Sequence, residues 1–131
     1  MIVLDTHVLV WWMTQAAGLS TAAKRAIGKH TSAGEIVAST ISVLEIATAV
    51  RRGRLKFNIP VDQWLADVRS IPELRLEPVS VEIAALAGSF LDLMHGDPAD
   101  RIIAATATVM GASLVTADDR LRSWGSLRTI W

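Results

Sequence analysis

The chain has no cysteine, which excludes disulfides and thiolate-held metals and suits a reducing compartment such as the cytoplasm. It has no net charge either, since thirteen Lys and Arg balance thirteen Asp and Glu. Nucleic-acid-binding domains usually show a basic excess, so the whole-chain balance gives no support for that class. Long hydrophobic runs are missing as well. The longest uncharged stretch, Ile102 to Ala117, is shorter than a bilayer span and carries Thr106, Thr108, Gly111 and Ser113. No membrane segment is expected. The start lacks a basic n-region and is broken by Asp5, so it does not read as a secretory signal. Internal repeats, low-complexity tracts and Pro/Gly-rich linkers are also absent.

What is present points to a folded domain. The 131 residues are 51% hydrophobic, with a mean hydropathy of +0.37. That suits a single domain over residues 1–131, with apolar surface left for self-association or a partner. Apolar runs predict buried strands at Ile2–Leu4, Glu35–Ala38, Leu76–Val79 and Ser113–Thr116, and a weaker one at Leu127–Ile130. Helical spacing predicts helices over residues 7–13, 20–29, 40–52, 61–70, 80–94, 98–110 and 119–124. Strands that alternate with helices and are apolar on both faces indicate an α/β domain, its parallel sheet covered on two sides. Ligands of such sheets gather beyond the carboxyl ends of the strands.

Four acids occupy that kind of place. Asp5 follows the first strand, and Asp118 follows SLVT in TADDRL. Glu45 stands in the first turn of the helix after the second strand. Asp100 opens a helix that Asp97 caps and Pro98 begins, and this helix must run antiparallel to the strands. Each acid alone has a local explanation. Asp5 and Asp118 suit N-caps, Ser42 to Glu45 has capping-box spacing, and Asp97 to Asp100 imitates it. Four carboxylates on one rim repel each other, however, and helix N-termini offset only part of that. A hard divalent cation, Mg²⁺ or Mn²⁺, removes the conflict and suits oxygen ligands with retained waters. Such an ion can activate water for phosphodiester hydrolysis.

The segments IVLDTHVLVWW, STISVLEIATAVRRGRL, HGDPADRIIAATA and LVTADDRL resemble, in this order and spacing, the PIN-domain nucleases. Within that group the chain is most similar to the VapC-type toxins of toxin–antitoxin pairs. The resemblance covers nearly the whole chain. It implies a three-layer α/β/α sandwich with a central, mostly parallel sheet of about five strands. It also implies a Mg²⁺- or Mn²⁺-dependent endoribonuclease, a homodimer, and an antitoxin whose tail can occupy the site. The family's acidic quartet falls on Asp5, Glu45, Asp100 and Asp118, as metal ligands and catalytic groups. Thr116-x-Asp118 matches the family pattern, which favours Asp118 over Asp119.

Neighbouring polar residues extend the site. Thr6 and Thr116, at strand ends, are placed to orient a carboxylate or a water, or to bond the local backbone. Ser42 is placed to hold Glu45 and to cap its helix. Asp97 suits a cap better than a ligand, and Asp119 is left a supporting, water-mediated role. His7 suits a buried, hydrogen-bonded position better than a base or ligand, whereas His30 and His95 read as loop or surface residues. Arg51, Arg52, Arg54 and Lys56 form the densest positive run, suited to an RNA backbone, to an acidic partner or simply to a solvated helix end. Arg101 is placed to reach a phosphate or a neighbouring carboxylate. The tryptophans Trp11, Trp12 and Trp64 fit core or interface packing better than base stacking, and Trp131 is not assigned.

Two other functions fit parts of this pattern. A phosphatase of the haloacid dehalogenase type also begins with an aspartate after its first strand, but it needs a second acid where His7 stands. A purely protein-binding domain would leave the acid cluster inert.

Overall fold

The computed structural model describes residues 1–90 and 97–131. Five strands form one sheet: β1 (Ile2–Leu4), β2 (Ile36–Ser39), β3 (Leu74–Glu77), β4 (Ser113–Val115) and β5 (Thr129–Ile130). Their order is β3-β2-β1-β4-β5 and every pairing is parallel. The helices are α1 (Thr6–Thr14), α2 (Thr21–Thr31), α3 (Ile41–Arg51), α4 (Val61–Arg69), α5 (Val81–Gly88), α6 (Pro98–Val109) and α7 (Asp119–Ser123). Among the described residues no helix is long and apolar enough to cross a membrane.

The sheet is sandwiched because its central strands are apolar on both faces. Val3, Val37 and Leu114 turn to one side, where Ile83, Ala87, Ile103, Ala104, Ala107 and Leu121 of α5, α6 and α7 cover them. Ile2, Leu4, Ile36, Ala38 and Val115 turn to the other, against Val8, Leu9, Ala23, Ile27, Ile46, Trp64 and Val68. Each fully buried Ile, Leu or Val contributes about 1.5–3 kcal/mol relative to exposure. This is the expected three-layer α/β/α architecture.

Two sequence expectations are corrected. The third strand lies at Leu74–Glu77 instead of Leu76–Val79, because Pro78 has no N–H to add to the ladder. It is also an edge strand, with Leu74 buried and Arg75 exposed, rather than apolar on both faces. The helix expected over residues 80–94 ends at Gly88, and its last four positions lie outside the described residues. The other elements differ from expectation only at their ends, except the last strand, which shortens to two residues. His30 sits in the last turn of α2, its Nδ1 2.9 Å from Glu35. His95 lies outside the described residues.

β1 is the centre of the sheet, and the chain leaves it for β2 and β3 before crossing to β4 on its other side. That reversal opens a crevice at the carboxyl edge beside β1. The sequence delivers residues to this edge by two routes, directly from strand ends and from the N-termini of helices that run back antiparallel.

Candidate active site

Asp5 is the N-cap of α1, and its Oδ1 accepts the Thr6 N–H at 2.8 Å. The side chain is almost wholly buried, so its other oxygen also needs a donor. Thr116, the residue after β4, supplies one: its hydroxyl lies 2.6 Å from Asp5 Oδ2. The same hydroxyl accepts the Asp118 N–H at 3.0 Å. A backbone amide can only donate, so the Thr116 proton must point at Asp5. The two strand ends are thereby locked into one polar unit.

Glu45 is held in a parallel manner. Thr6 Oγ1 donates to Glu45 Oε1 at 2.5 Å and lies 2.8 Å from Ser42 Oγ. With its proton committed to the carboxylate, Thr6 accepts from Ser42. Ser42 therefore reaches Glu45 through Thr6 rather than directly, and it does not cap α3. The N-cap is Thr40, whose side chain makes no capping bond, while Ser39 Oγ accepts the Ile41 N–H at 3.1 Å. Burial raises the Glu45 pKa, and the charges of Asp5 and Asp97 add to the rise while the Thr6 bond opposes it.

Asp100 stands in the first turn of α6. Burial pushes it up to about 7, reinforced by the negative charges of Asp97, Asp5, Asp118 and Glu45. Asp97 caps this helix, accepting the Ala99 N–H at 2.9 Å, and acts on Glu45 and Asp100 through its charge. Asp118 caps α7 and accepts the Arg120 N–H at 2.8 Å. Its partial burial favours a higher pKa, but the hydrogen bonds and charge of Arg120 outweigh that and lower it.

Asp5, Glu45, Asp100 and Asp118 line one cavity of about 340 Å³, together with Thr6, His7 and Arg54 and an apolar wall of Val10, Trp11, Ile46, Ala49 and Leu55. His7 Nε2 accepts the Ala117 N–H at 3.3 Å, so a neutral ring carries its proton on Nδ1, which faces Asp5 Oδ2 at 3.5 Å. His7 is thus hydrogen-bonded, although partly exposed. Arg54 reaches the cavity because Gly53 takes φ 71° and turns the chain back, letting the Arg54 N–H close on Ala49 O at 2.8 Å.

The other candidates are placed differently. Arg52 borders an adjoining groove with Asp97, whereas Arg51 faces another hollow with Val61. Lys56 is exposed. Asp119, expected near the site, is turned to solvent with 95% of its side chain exposed, 3.7 Å from Arg122. Among the described residues Arg101 reaches no carboxylate, and its buried Nε has no partner. The carboxylate contact expected of Arg101 is made instead by Arg120, which joins Asp100 and Asp118. The sequence reading missed Arg120 and Trp11. The only available signal for Arg120 was its place two residues after Asp118 in a helix's first turn. Trp11 had none, because helical spacing does not distinguish core from cavity wall.

Among the described residues no three or more Asp, Glu or His side chains are arranged to close around a metal ion. The donor chemistry nevertheless fits Mg²⁺ or Mn²⁺, which are held by one or two carboxylates and retained waters rather than an all-protein cage.

A profile of the PIN domain matches residues 2–125. The chain belongs to the PIN-domain family. This PIN domain is 39% identical over 132 residues to Ribonuclease VapC22 of Mycobacterium tuberculosis (strain ATCC 25618 / H37Rv), covering 99% of this chain and 98% of that protein. Its fold is similar to VapBC2 from Rickettsia felis bound to a promoter DNA fragment, with a TM-score of 0.71 at 20% identity over 98% of this chain and 97% of that one. FitAcB from Neisseria gonorrhoeae is comparable, at TM-score 0.70 and 22% identity over 98% and 96% of the two chains. The PIN domain thus has the architecture implied by the four sequence motifs.

Proposed function

We propose that this PIN domain is a divalent-metal-dependent endoribonuclease, the toxin of a toxin–antitoxin pair. The observation that carries the reading is the gathering of Asp5, Glu45, Asp100 and Asp118 on one cavity at the carboxyl edge of the sheet. The resemblance to a ribonuclease over the full chain supports it. These four carboxylates would hold Mg²⁺ or Mn²⁺, directly or through waters. When bound, such an ion would supply Lewis acidity for activating a water and for stabilising charge on the phosphoryl oxygens.

The chain's own groups set the geometry. Thr116 and the Thr6 amide fix Asp5, Thr6 and Ser42 fix Glu45, and neither acid can turn away without stranding a buried donor. Arg54, on the rim, is positioned to meet the substrate's phosphate backbone. Val10, Trp11 and Leu55 add an apolar lining to the same cavity. No protein nucleophile is required.

Partner and setting follow from the same reading. Two of the similar structures are named as VapBC complexes, which supports an antitoxin as the protein partner. Leu44, Ile59, Val79 and Val81 leave exposed apolar surface for protein contacts, the homodimer included. We assign the protein to the cytoplasm, where its RNA substrate would be found.

The test is cleavage of RNA by purified protein with Mg²⁺ or Mn²⁺, with EDTA, and with Asp5→Asn or Asp100→Asn. Cleavage should depend on metal and vanish in variants whose circular dichroism is native. Folded, pure variants that cut as well as the parent would overturn the assignment. Turnover of a generic phosphate monoester instead would favour a phosphatase.

A further inference from the structure

Arg120 Nη2 lies 3.3 Å from Asp100 Oδ2 and 3.2 Å from Asp118 Oδ2, and its Nε lies 3.4 Å from Asp118 Oδ1. One guanidinium therefore joins an acid in the first turn of α6 to the acid that caps α7. The side chain is 66% exposed. It leans over the site from outside and is not built into the core. Asp97, Asp5, Asp118 and Glu45 crowd negative charge around Asp100, a repulsion that a nearby cation relieves.

We propose that Arg120 is the built-in counter-ion of the acidic site, taking the place between Asp100 and Asp118 that a divalent cation would take. Metal binding displaces it, and the site's affinity for metal is set by that competition. The inference rests on the metal-holding reading of the four acids. Exposed ion pairs of this kind contribute little each. A double charge attracted by the same carboxylates has roughly twice the Coulomb energy of a single one at equal distance. The guanidinium can therefore yield to the ion, at a cost in affinity.

Arg122 provides the control. It lies on the same short helix, and its Nη1 is 3.7 Å from the exposed Asp119, away from the cavity. Removing it changes the net charge by the same amount without touching Asp100 or Asp118.

The experiment is calorimetric titration of Mn²⁺ into the metal-stripped protein, comparing wild type, Arg120→Ala, Arg120→Gln and Arg122→Ala at one ionic strength. With two exposed ion contacts removed, both Arg120 variants should bind Mn²⁺ about three- to tenfold more tightly, and Arg122→Ala should match wild type. Unchanged or weaker binding by the Arg120 variants would overturn the proposal, as would an equal gain in Arg122→Ala. If neither wild type nor the Arg120 variants bind Mn²⁺, the metal-holding reading itself fails and the inference fails with it.

Discussion

The hydroxyl of Thr116 donates to Oδ2 of Asp5 at 2.6 Å across 111 positions of sequence. That bond links the carboxyl ends of β1 and β4, two adjacent strands, and aims the first acid of the site into the cavity. The Asp118 amide completes the unit by donating to the same hydroxyl, so one small side chain positions two of the four acids.

Replacing Thr116 with valine keeps the shape and removes the relay. It leaves a buried carboxylate oxygen and the Asp118 N–H without their partner, which should cost about 1–3 kcal/mol in stability. Mn²⁺ affinity or RNA cleavage should fall about 10- to 100-fold, the usual effect of losing a group that orients a metal ligand. Chemical denaturation and metal titration measure the two effects, and Thr116→Ser should recover most of both. A valine variant with undiminished affinity would show that Asp5 needs no such support.

The raised pKa of Asp100 makes stability depend on pH. Burial and the neighbouring acids push it up to about 7, above its unfolded value of 3.8. Between those values the folded protein binds more protons than the unfolded chain. The Asp100 contribution to stability is therefore fully present below its unfolded value and is lost as pH rises through about 7. In EDTA, Asp100→Asn should remove this contribution. The difference in unfolding free energy between variant and wild type should move in the variant's favour by about 1–3 kcal/mol from pH 5 to pH 8. Parallel profiles for the two proteins would show that Asp100 ionises normally. Metal affinity should run the other way and strengthen as pH rises through about 7, because the carboxylate must lose its proton to bind.

The cavity wall can be tested independently of its acids. A Cβ built on Gly18 would lie 2.7 Å from Cδ2 of Trp11, against the ring face of a residue that lines the site. Trp11 cannot easily retreat, since His7 packs edge-on at 4.9 Å and Trp131 at 5.8 Å. Gly18→Ala should therefore destabilise the protein by about 1–3 kcal/mol and shift tryptophan fluorescence. A neutral alanine variant would mean that the loop gives way instead of the ring.

The amino-acid sequence by itself determined the element types, the parallel sheet and the aspartate caps, though not the start of α3, because these depend on residues close in the chain. Apolar runs made β1, β2 and β4 legible. Asp5, Asp97 and Asp118 announced helix starts by ordinary capping chemistry, and all three do cap. The third strand was misplaced past Pro78, which cannot donate to the ladder, and its place at the sheet edge shows only in the strand order. Tertiary structure alone decided what the acids do together. The order β3-β2-β1-β4-β5 makes neighbours of strands far apart in sequence. Only then can Thr6 hold Glu45 and Thr116 hold Asp5. The same holds for Arg120 and Asp119. Local pattern gives Asp119 a supporting place near the site and gives Arg120 none, yet the fold turns the guanidinium toward Asp100 and the neighbouring carboxylate out to solvent. Side-chain direction on so short an element follows from which element packs beside it, and that information is spread over the whole chain.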